Sequence, residues 1–275
     1  MATPIGARSD LSPRAREVLS SVHRIAAEDT RVTRQLLQQE GIPVPPLVSY
    51  HDHNERERAD ELVGRLEQGE TVALVSDAGT PLISDPGYRL VNACWDRGIP
   101  VVVVPGPSAA VAALSGAGLP THEWLFVGFL PRDPGPRDAR IAERRFERAT
   151  VVLYEAPHRL LDTLRALAGS WGPRRAAVVH NLTKPTEVWR RGTLDGLAES
   201  VAALDEVRGE ITLVVEGHGG PESPDDARCD ALIDAMVAAG IPVGTVRDVV
   251  CRVYDRPRRD VYQRALAARA TPEDP

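Results

Sequence analysis

A chain of 275 residues has room for two modest α/β domains and on folding buries roughly three quarters of its unfolded surface, so core size is not limiting. Its 43% hydrophobic and 26% charged residues are ordinary for a globular protein, and no run nears the roughly 20 apolar residues of a membrane span, so no membrane partner is expected. A formal net charge of -6 excludes nucleic-acid binding by overall charge and leaves only local basic patches for that purpose.

The N-terminus, MATPIGARSD, has no basic segment followed by an apolar one, so a cytoplasmic location is expected. Ser12-Pro13 fits an N-cap and first helical residue. Four apolar runs rich in Val, Ile and Ala then predict strands: RIAAED (24–29), PLVSYH (46–51), ETVALVSD (70–77) and IPVVVVP (99–105). Between them RQLLQQEG, NERERADELVGRLEQG and GYRLVNACWDRG have helical spacing and each closes on glycine. Near-continuous apolar strands separated by helices imply a parallel sheet covered on both faces, a doubly wound domain over residues 1–119. A second α/β domain is expected over 120–218, with strands at 123–130, 150–156, 175–182, 186–192 and 209–217 and helices at 137–148, 158–169 and 193–203. HGGPESPDDA (218–227) reads as a linker, and 226–275 as a small helical tail ending in RRDVYQRALAAR. The fold class is therefore α/β, with two α/β domains and a helical tail.

Three cysteines, Cys94, Cys229 and Cys251, lie far apart without CxxC spacing, so neither a disulfide framework nor a zinc site is indicated. Positive charge is almost all arginine, and Lys184 is the only lysine. Lysine is a compact point charge where arginine is a planar fork, which singles Lys184 out for a specific site.

The stretch LVSDAGTPLISDPG (74–87) carries the main chemical signal. Strand 70–77 ends at Ser76 and Asp77, and Gly79-Thr80-Pro81 makes a tight turn at the carboxyl end of a parallel sheet, where open α/β sheets bind ligands. Strand 99–105 runs into a second tight turn at Gly106-Pro107, and Ser108 opens a helix. Glycine lets backbone approach a ligand and proline lowers the entropy lost on binding, so two such turns at neighbouring strand ends define one crevice. GxGxxG and GxxxxGK[ST] are both missing, which leaves the dehydrogenase and P-loop readings weak.

TPIG (3–6), AAEDTR (26–31), SYHDHNE (49–55), ALVSDAGTPLISDPGY (73–88), VPGPSA (104–109), GFLPR (128–132), YEAPHRL (154–160), LTK (182–184) and GEITLVVEG (209–217) occur in this order. With these motifs the chain resembles the ribosomal RNA small subunit methyltransferase I family of the tetrapyrrole-methylase superfamily. That resemblance implies transfer of a methyl group from S-adenosyl-L-methionine (SAM) to the ribose 2′-oxygen of a decoding-centre cytidine in 16S rRNA. It also implies a SAM cleft between the two α/β domains, a homodimer, and the small ribosomal subunit as partner. Cofactor-binding positions carried over are Gly79, Thr80, Pro81, Leu82, Ser108, Ala109, Tyr154, Leu182 and Thr212, with Asp77 holding the turn or the methionyl ammonium. No metal is expected, because the sulfonium already supplies a neutral leaving group.

A ribose hydroxyl needs a base or an ordered acceptor close by. Glu28 and Asp29, at a strand exit facing the crevice, are the leading carboxylates, with Arg31 beside them to hold a phosphate or orient a carboxylate. A helix-capping acid is the competing reading for that cluster. Lys184 completes the catalytic set. His53, Asn54 and Glu55 on the next strand exit, with Arg132, His158 and Arg159, are assigned to RNA contact. Arginines at 132–148 and in the tail are a basic footprint or ion-paired solvated helices.

Three positions depart from the family pattern. An apolar strand normally precedes TPIG, where this chain has only Met1 and Ala2, so either the start is assigned too late, which is the expectation, or the first sheet lacks a strand. Ala7 replaces an asparagine, and His180-Asn181 replaces Arg-Glu. Two other readings stand beside the rRNA methyltransferase: a SAM enzyme acting on a tetrapyrrole or other small molecule, and a non-catalytic RNA-binding or ribosome-assembly protein on the same scaffold.

Overall fold

The computed structural model describes residues 1–219, 224–254 and 256–270. The chain divides into two compact units, residues 1–143 with 149–217, and residues 144–148 with 218–275.

The first unit opens with α1 (Pro13–Ser21), capped as expected: the Ser12 hydroxyl accepts from Ala15 N at 3.1 Å. Then come β1 (Arg24–Ala27), α2 (Thr30–Gln39), β2 (Leu47–Ser49), α3 (Glu55–Glu67), β3 (Val72–Val75), α4 (Tyr88–Asp96) and α5 (Ala109–Ala117). The three strands form a parallel sheet in the order β2-β1-β3. Ile25, Ala26 and Ala27 of the central strand are fully buried because both faces are covered. Ile25 and Ala27 pack with Leu11, Ala15, Leu19 and Leu37, while Ala26 faces Tyr50, Leu62, Val63 and Leu90. Period-two alternation thus feeds two helical layers.

The predicted strand 99–105 is not part of this sheet. Residues 1–3 reach both it and β3: Met1 N donates to Leu74 O at 2.8 Å, Ala2 N donates to Val104 O at 3.2 Å, and Thr3 and Gly79 exchange backbone bonds at 2.8 and 3.1 Å. Along 101–103 no ladder forms among the described residues, and Val102 and Val103 are 67% and 72% exposed. An apolar run becomes a strand only where a neighbour offers backbone groups along its length.

A second sheet has the order β4-β5-β8-β6-β7, from β4 (Trp124–Phe129), β5 (Thr150–Glu155), β6 (Arg175–His180), β7 (Val188–Thr193) and β8 (Ile211–Val215). Only β4 and β5 pair in parallel; the other three ladders are antiparallel. Val151, Leu153, Val178 and Leu213 face α6 (Pro134–Ala142), α7 (Leu160–Trp171) and α8 (Leu194–Ala202). Val152, Ala177 and Val214 face the small residues of α5, Ala110, Ala113 and Ala117. The helix expected at 137–148 instead starts at Pro134, a preferred first-turn residue, and ends at Ala142.

The second unit holds α9 (Pro224–Ala238), α10 (Val243–Val253) and α11 (Arg258–Ala270), packed around Cys229, Ile233, Val246, Val250, Val261 and Ala265. Of the predicted linker 218–227, residues 220–223 lie outside the described residues, and α9 begins within it. Among the described residues no helix is long and apolar enough to cross a membrane.

Candidate active site

Because β1 and β3 are parallel neighbours, their exits leave the sheet together and bring Glu28-Asp29 beside Ser76-Asp77. Asp77 Oδ1 accepts from Asp29 N at 2.9 Å, and Glu28 Oε2 accepts from Asp77 N at 3.2 Å. Burial pushes the Glu28 and Asp77 carboxyls above the usual range, and neighbouring carboxylates add to the effect. Asp29 caps α2: its Oδ1 accepts from Arg31 N at 2.8 Å and its Oδ2 takes Arg31 Nη2 at 2.6 Å. Those hydrogen bonds from Arg31 hold Asp29 down to about 2. An acid that strong is a poor proton acceptor at neutral pH.

On the next exit Asn54 closes the turn after β2, accepting from His51 N at 2.9 Å and donating to Ser49 O at 3.1 Å. Glu55 pairs with Arg89 at 2.8 Å, and His53 is exposed.

The turn after β3 is tied to its surroundings. Thr80 Oγ1 donates to Pro107 O at 2.8 Å, joining the two glycine-proline turns as the sequence pattern implies. Gly79 has φ +86, and a Cβ there would lie 3.2 Å from Ile5 Cγ2. Leu82 and Ser84 are in the left-handed region with φ 73 and 69, a conformation non-glycine residues keep only where the surroundings impose it. Asp85 follows, and burial pushes its carboxyl up to about 6, with Glu28, Asp77 and Asp52 adding and the Ser76 hydroxyl opposing.

From the second sheet Tyr154 sends its hydroxyl to the start of α5, accepting from Ala110 N at 3.2 Å. Glu155 is buried and fully engaged: it accepts from Thr163 Oγ1 at 2.5 Å and Ala156 N at 2.7 Å and faces Arg159 at 3.4 Å. Arg159 also donates to Leu130 O and Pro131 O at 3.0 and 2.8 Å, pinning the GFLPR loop, while His158 and Arg132 are exposed. Lys184 Nζ sits 3.0 Å from Glu210 Oε2. Its loop holds Asn181 and Thr183 at φ 53 and 62 and packs against Gly6, where a Cβ would come within 2.6 Å of Lys184 Cγ and 2.8 Å of Leu182 O.

These elements enclose a cavity of about 380 Å³, within the size range of small-ligand sites. Of the expected cofactor positions, Gly79, Thr80, Ser108, Ala109, Tyr154 and Thr212 line it; Asp77, Pro81, Leu82 and Leu182 do not. Glu28, Asp29, Arg31 and Lys184 also lie outside the lining, although Glu210, the partner of Lys184, belongs to it. Sequence reading passed over Ser84, Asp85 and Glu155 as lining residues. The signal for Asp85 was the second aspartate of SDAGTPLISDPG, six residues past Gly79 and followed by a rigid Pro-Gly. An apolar cleft with a glycine wall, hydroxyls and carboxylates suits a ligand that is part aromatic base, part polar chain, so the residues present fit SAM.

Five of the arginines in the two basic sets are ion-paired. Arg137 and Arg140 meet Asp138 and Glu143 at 2.9 Å each, and Arg256, Arg258 and Arg264 meet Asp230, Asp248 and Asp234 at 3.0, 2.7 and 2.7 Å.

The family model for Tetrapyrrole (Corrin/Porphyrin) Methylases matches residues 2–198. Among solved structures, uroporphyrin-III C-methyltransferase from Thermus thermophilus in complex with S-adenyl homocysteine aligns with TM-score 0.53 and 21% identity, over 78% of this chain and 94% of that one. Cobalt precorrin-4 methyltransferase aligns with TM-score 0.57 and 15% identity over 78% and 92%. A ribosomal RNA small subunit methyltransferase I from Micromonospora olivasterospora is 44% identical over 267 residues, covering 97% of this chain and 85% of the relative. One from Escherichia coli O157:H7 is 43% identical over 268 residues, covering 96% and 92%. The chain belongs to the ribosomal RNA small subunit methyltransferase I family of tetrapyrrole methylases, a family of SAM-dependent methyltransferases.

Proposed function

We propose that the protein transfers a methyl group from SAM to the ribose 2′-oxygen of a decoding-centre cytidine in 16S rRNA, acting in the cytoplasm on the small ribosomal subunit. One observation carries this reading: six positions that the family pattern assigns to the cofactor, scattered from Gly79 to Thr212, line a single cavity. When bound, SAM supplies an electrophilic methyl group. The backbone around Gly79 and Thr80 and the start of α5 at Ser108-Ala109 would hold its polar chain, and Tyr154 and Thr212 the opposite wall. The Thr80–Pro107 hydrogen bond fixes both turns before binding, so little order is lost when the ligand enters. Arg31, its side chain 89% exposed, and Lys184 are suited to rRNA phosphates. His53, Arg132 and His158 are exposed for the same partner, whereas Asn54, Glu55 and Arg159 shape the loops that present them.

The reading includes a homodimer. Tyr88 and Trp95, seven residues apart on one face of α4, are 70% and 67% exposed, an apolar face suited to a second copy. Sedimentation of the wild type and Trp95→Glu at matched concentrations tests this, with dimer lost in the variant as the expected result.

The functional test incubates the protein and methyl-labelled SAM with small subunits from cells lacking the modification, and then identifies the labelled nucleotide. Label on a cytidine ribose is expected. Label on a base, or on uroporphyrinogen III but not on the subunit, overturns the reading.

A further inference from the structure

We propose that Asp85 is the proton acceptor for the nucleophilic hydroxyl in this cavity, an inference that rests on the methyltransfer reading above.

Three carboxylates line the cavity, and two are committed. Glu155 takes Thr163, Ala156 N and Arg159, and Glu210 takes Lys184. Asp85 has no ion-pair partner among the described residues; the Ser76 hydroxyl beside it donates to Gly79 O at 3.4 Å and counts among the influences that favour its ionised form. Outside the lining, Asp77 and Glu28 each accept a backbone N–H, and Asp29 is neutralised by Arg31. Asp85 is thus the lining carboxylate whose oxygens are left for a ligand hydroxyl.

Its position is also fixed. Left-handed Leu82 and Ser84 precede it and Pro86-Gly87 follows. A Cβ on Gly87 would come within 2.7 Å of Leu74 Cδ2, and one on Gly128 within 2.9 Å of Ser84 Oγ, so the turn is clamped on both sides. A base held this way needs little reorganisation when the hydroxyl arrives. Its basicity follows from its surroundings: Glu28 from the β1 exit, Asp52 from the β2 exit and Asp77 from the β3 exit all face it with negative charge, and Tyr154 faces it from β5. Burial, with these like charges adding to it, makes Asp85 a stronger base than an exposed aspartate while leaving it ionised at neutral pH.

In the step itself the Asp85 carboxylate takes the 2′-hydroxyl proton as the ribose oxygen forms its bond to the methyl carbon. The sulfur–methyl bond breaks with its electron pair staying on sulfur, so the products are methyl ether, neutral thioether and a protonated carboxyl. No oxidant, reductant or metal is needed.

The test compares wild type, Asp85→Asn and Ser76→Ala by three readouts: SAM affinity by calorimetry, single-turnover methyl transfer to small subunits, and the pH profile of that transfer. For D85N the expected result is SAM affinity within about threefold of wild type and transfer slowed by about 100-fold or more. S76A removes a hydroxyl that favours the ionised carboxyl, so the acid limb of its profile moves to higher pH. A purely structural role for Asp85 would leave that limb in place. D85N that transfers at the wild-type rate, D85N that loses SAM binding, or an unmoved acid limb in S76A each overturn the assignment. Wild type that binds SAM and methylates no ribose overturns the underlying reading and the assignment with it, whereas active wild type beside undiminished D85N overturns the assignment alone.

Discussion

The backbone amide of Asp29 donates to the side chain of Asp77 at 2.9 Å, while the amide of Asp77 donates to Glu28, so two strand exits are cross-tied through their acids. Neither tie can be made by an apolar residue. Asp77→Ala leaves the half-buried Asp29 amide without its partner and should destabilise the protein by about 1–3 kcal/mol. Urea denaturation measures the loss, and SAM affinity should fall with it because Asp77 precedes the Gly79 turn.

Gly6 is held so close to Leu182, Thr183 and Lys184 that a Cβ added to it would come within 2.8 Å of the Leu182 carbonyl oxygen. Ala7 N also donates to Thr183 Oγ1 at 2.9 Å, so this contact joins the TPIG loop to the loop after β6. Gly6→Ala forces them apart and should destabilise by about 1–3 kcal/mol. Thermal melts with and without SAM should show a lower midpoint and a smaller ligand-induced rise.

Two aspartates give opposite pH signatures. Asp85 is raised from 3.8 to about 6 in the folded protein, so between those values the folded state binds more protons than the unfolded one. Its contribution is fully present below pH 4 and is lost as pH rises through 6. Asp85→Asn should therefore be more stable than wild type at pH 7, with the difference vanishing below pH 4. Asp29 is lowered from 3.8 to about 2, so its contribution is present above pH 4 and is lost as pH falls through 2. Asp29→Asn should flatten the acid limb of the stability curve in that lower window only. Denaturation midpoints from pH 2 to 8 separate the two.

Burial decides how much an ion pair matters. The side chains of Glu155 and Arg159 are 1% and 15% exposed, and Glu155→Ala takes the carboxylate from the guanidinium and the acceptor from Thr163, which should destabilise by about 3–5 kcal/mol. Lys184 and Glu210 are 32% and 65% exposed, so Lys184→Ala should change stability by less than about 1 kcal/mol. If Lys184 serves rRNA phosphates, the same variant should weaken subunit binding and reduce its salt dependence. Filter binding at several salt concentrations measures both.

The sequence by itself determined the helices and strands that carry their own signals: the Ser12 cap, the buried β1 and β3, and the glycine-proline turns at Gly79 and Gly106. It also determined the family, because a long ordered block such as SDAGTPLISDPG is specific without any structure. Tertiary structure decided what depends on partners distant in sequence. The valines of 101–103 look like a strand, yet form no ladder among the described residues, since pairing belongs to the neighbour as much as to the run. Asp29 and Asp85 are the same side chain in similarly polar turns, and only the fold makes one a strong acid capping α2 and the other a weak acid in a cavity. A carboxyl's pKa is set by the dielectric and charges within a few ångströms, and chain order does not reveal which residues those are.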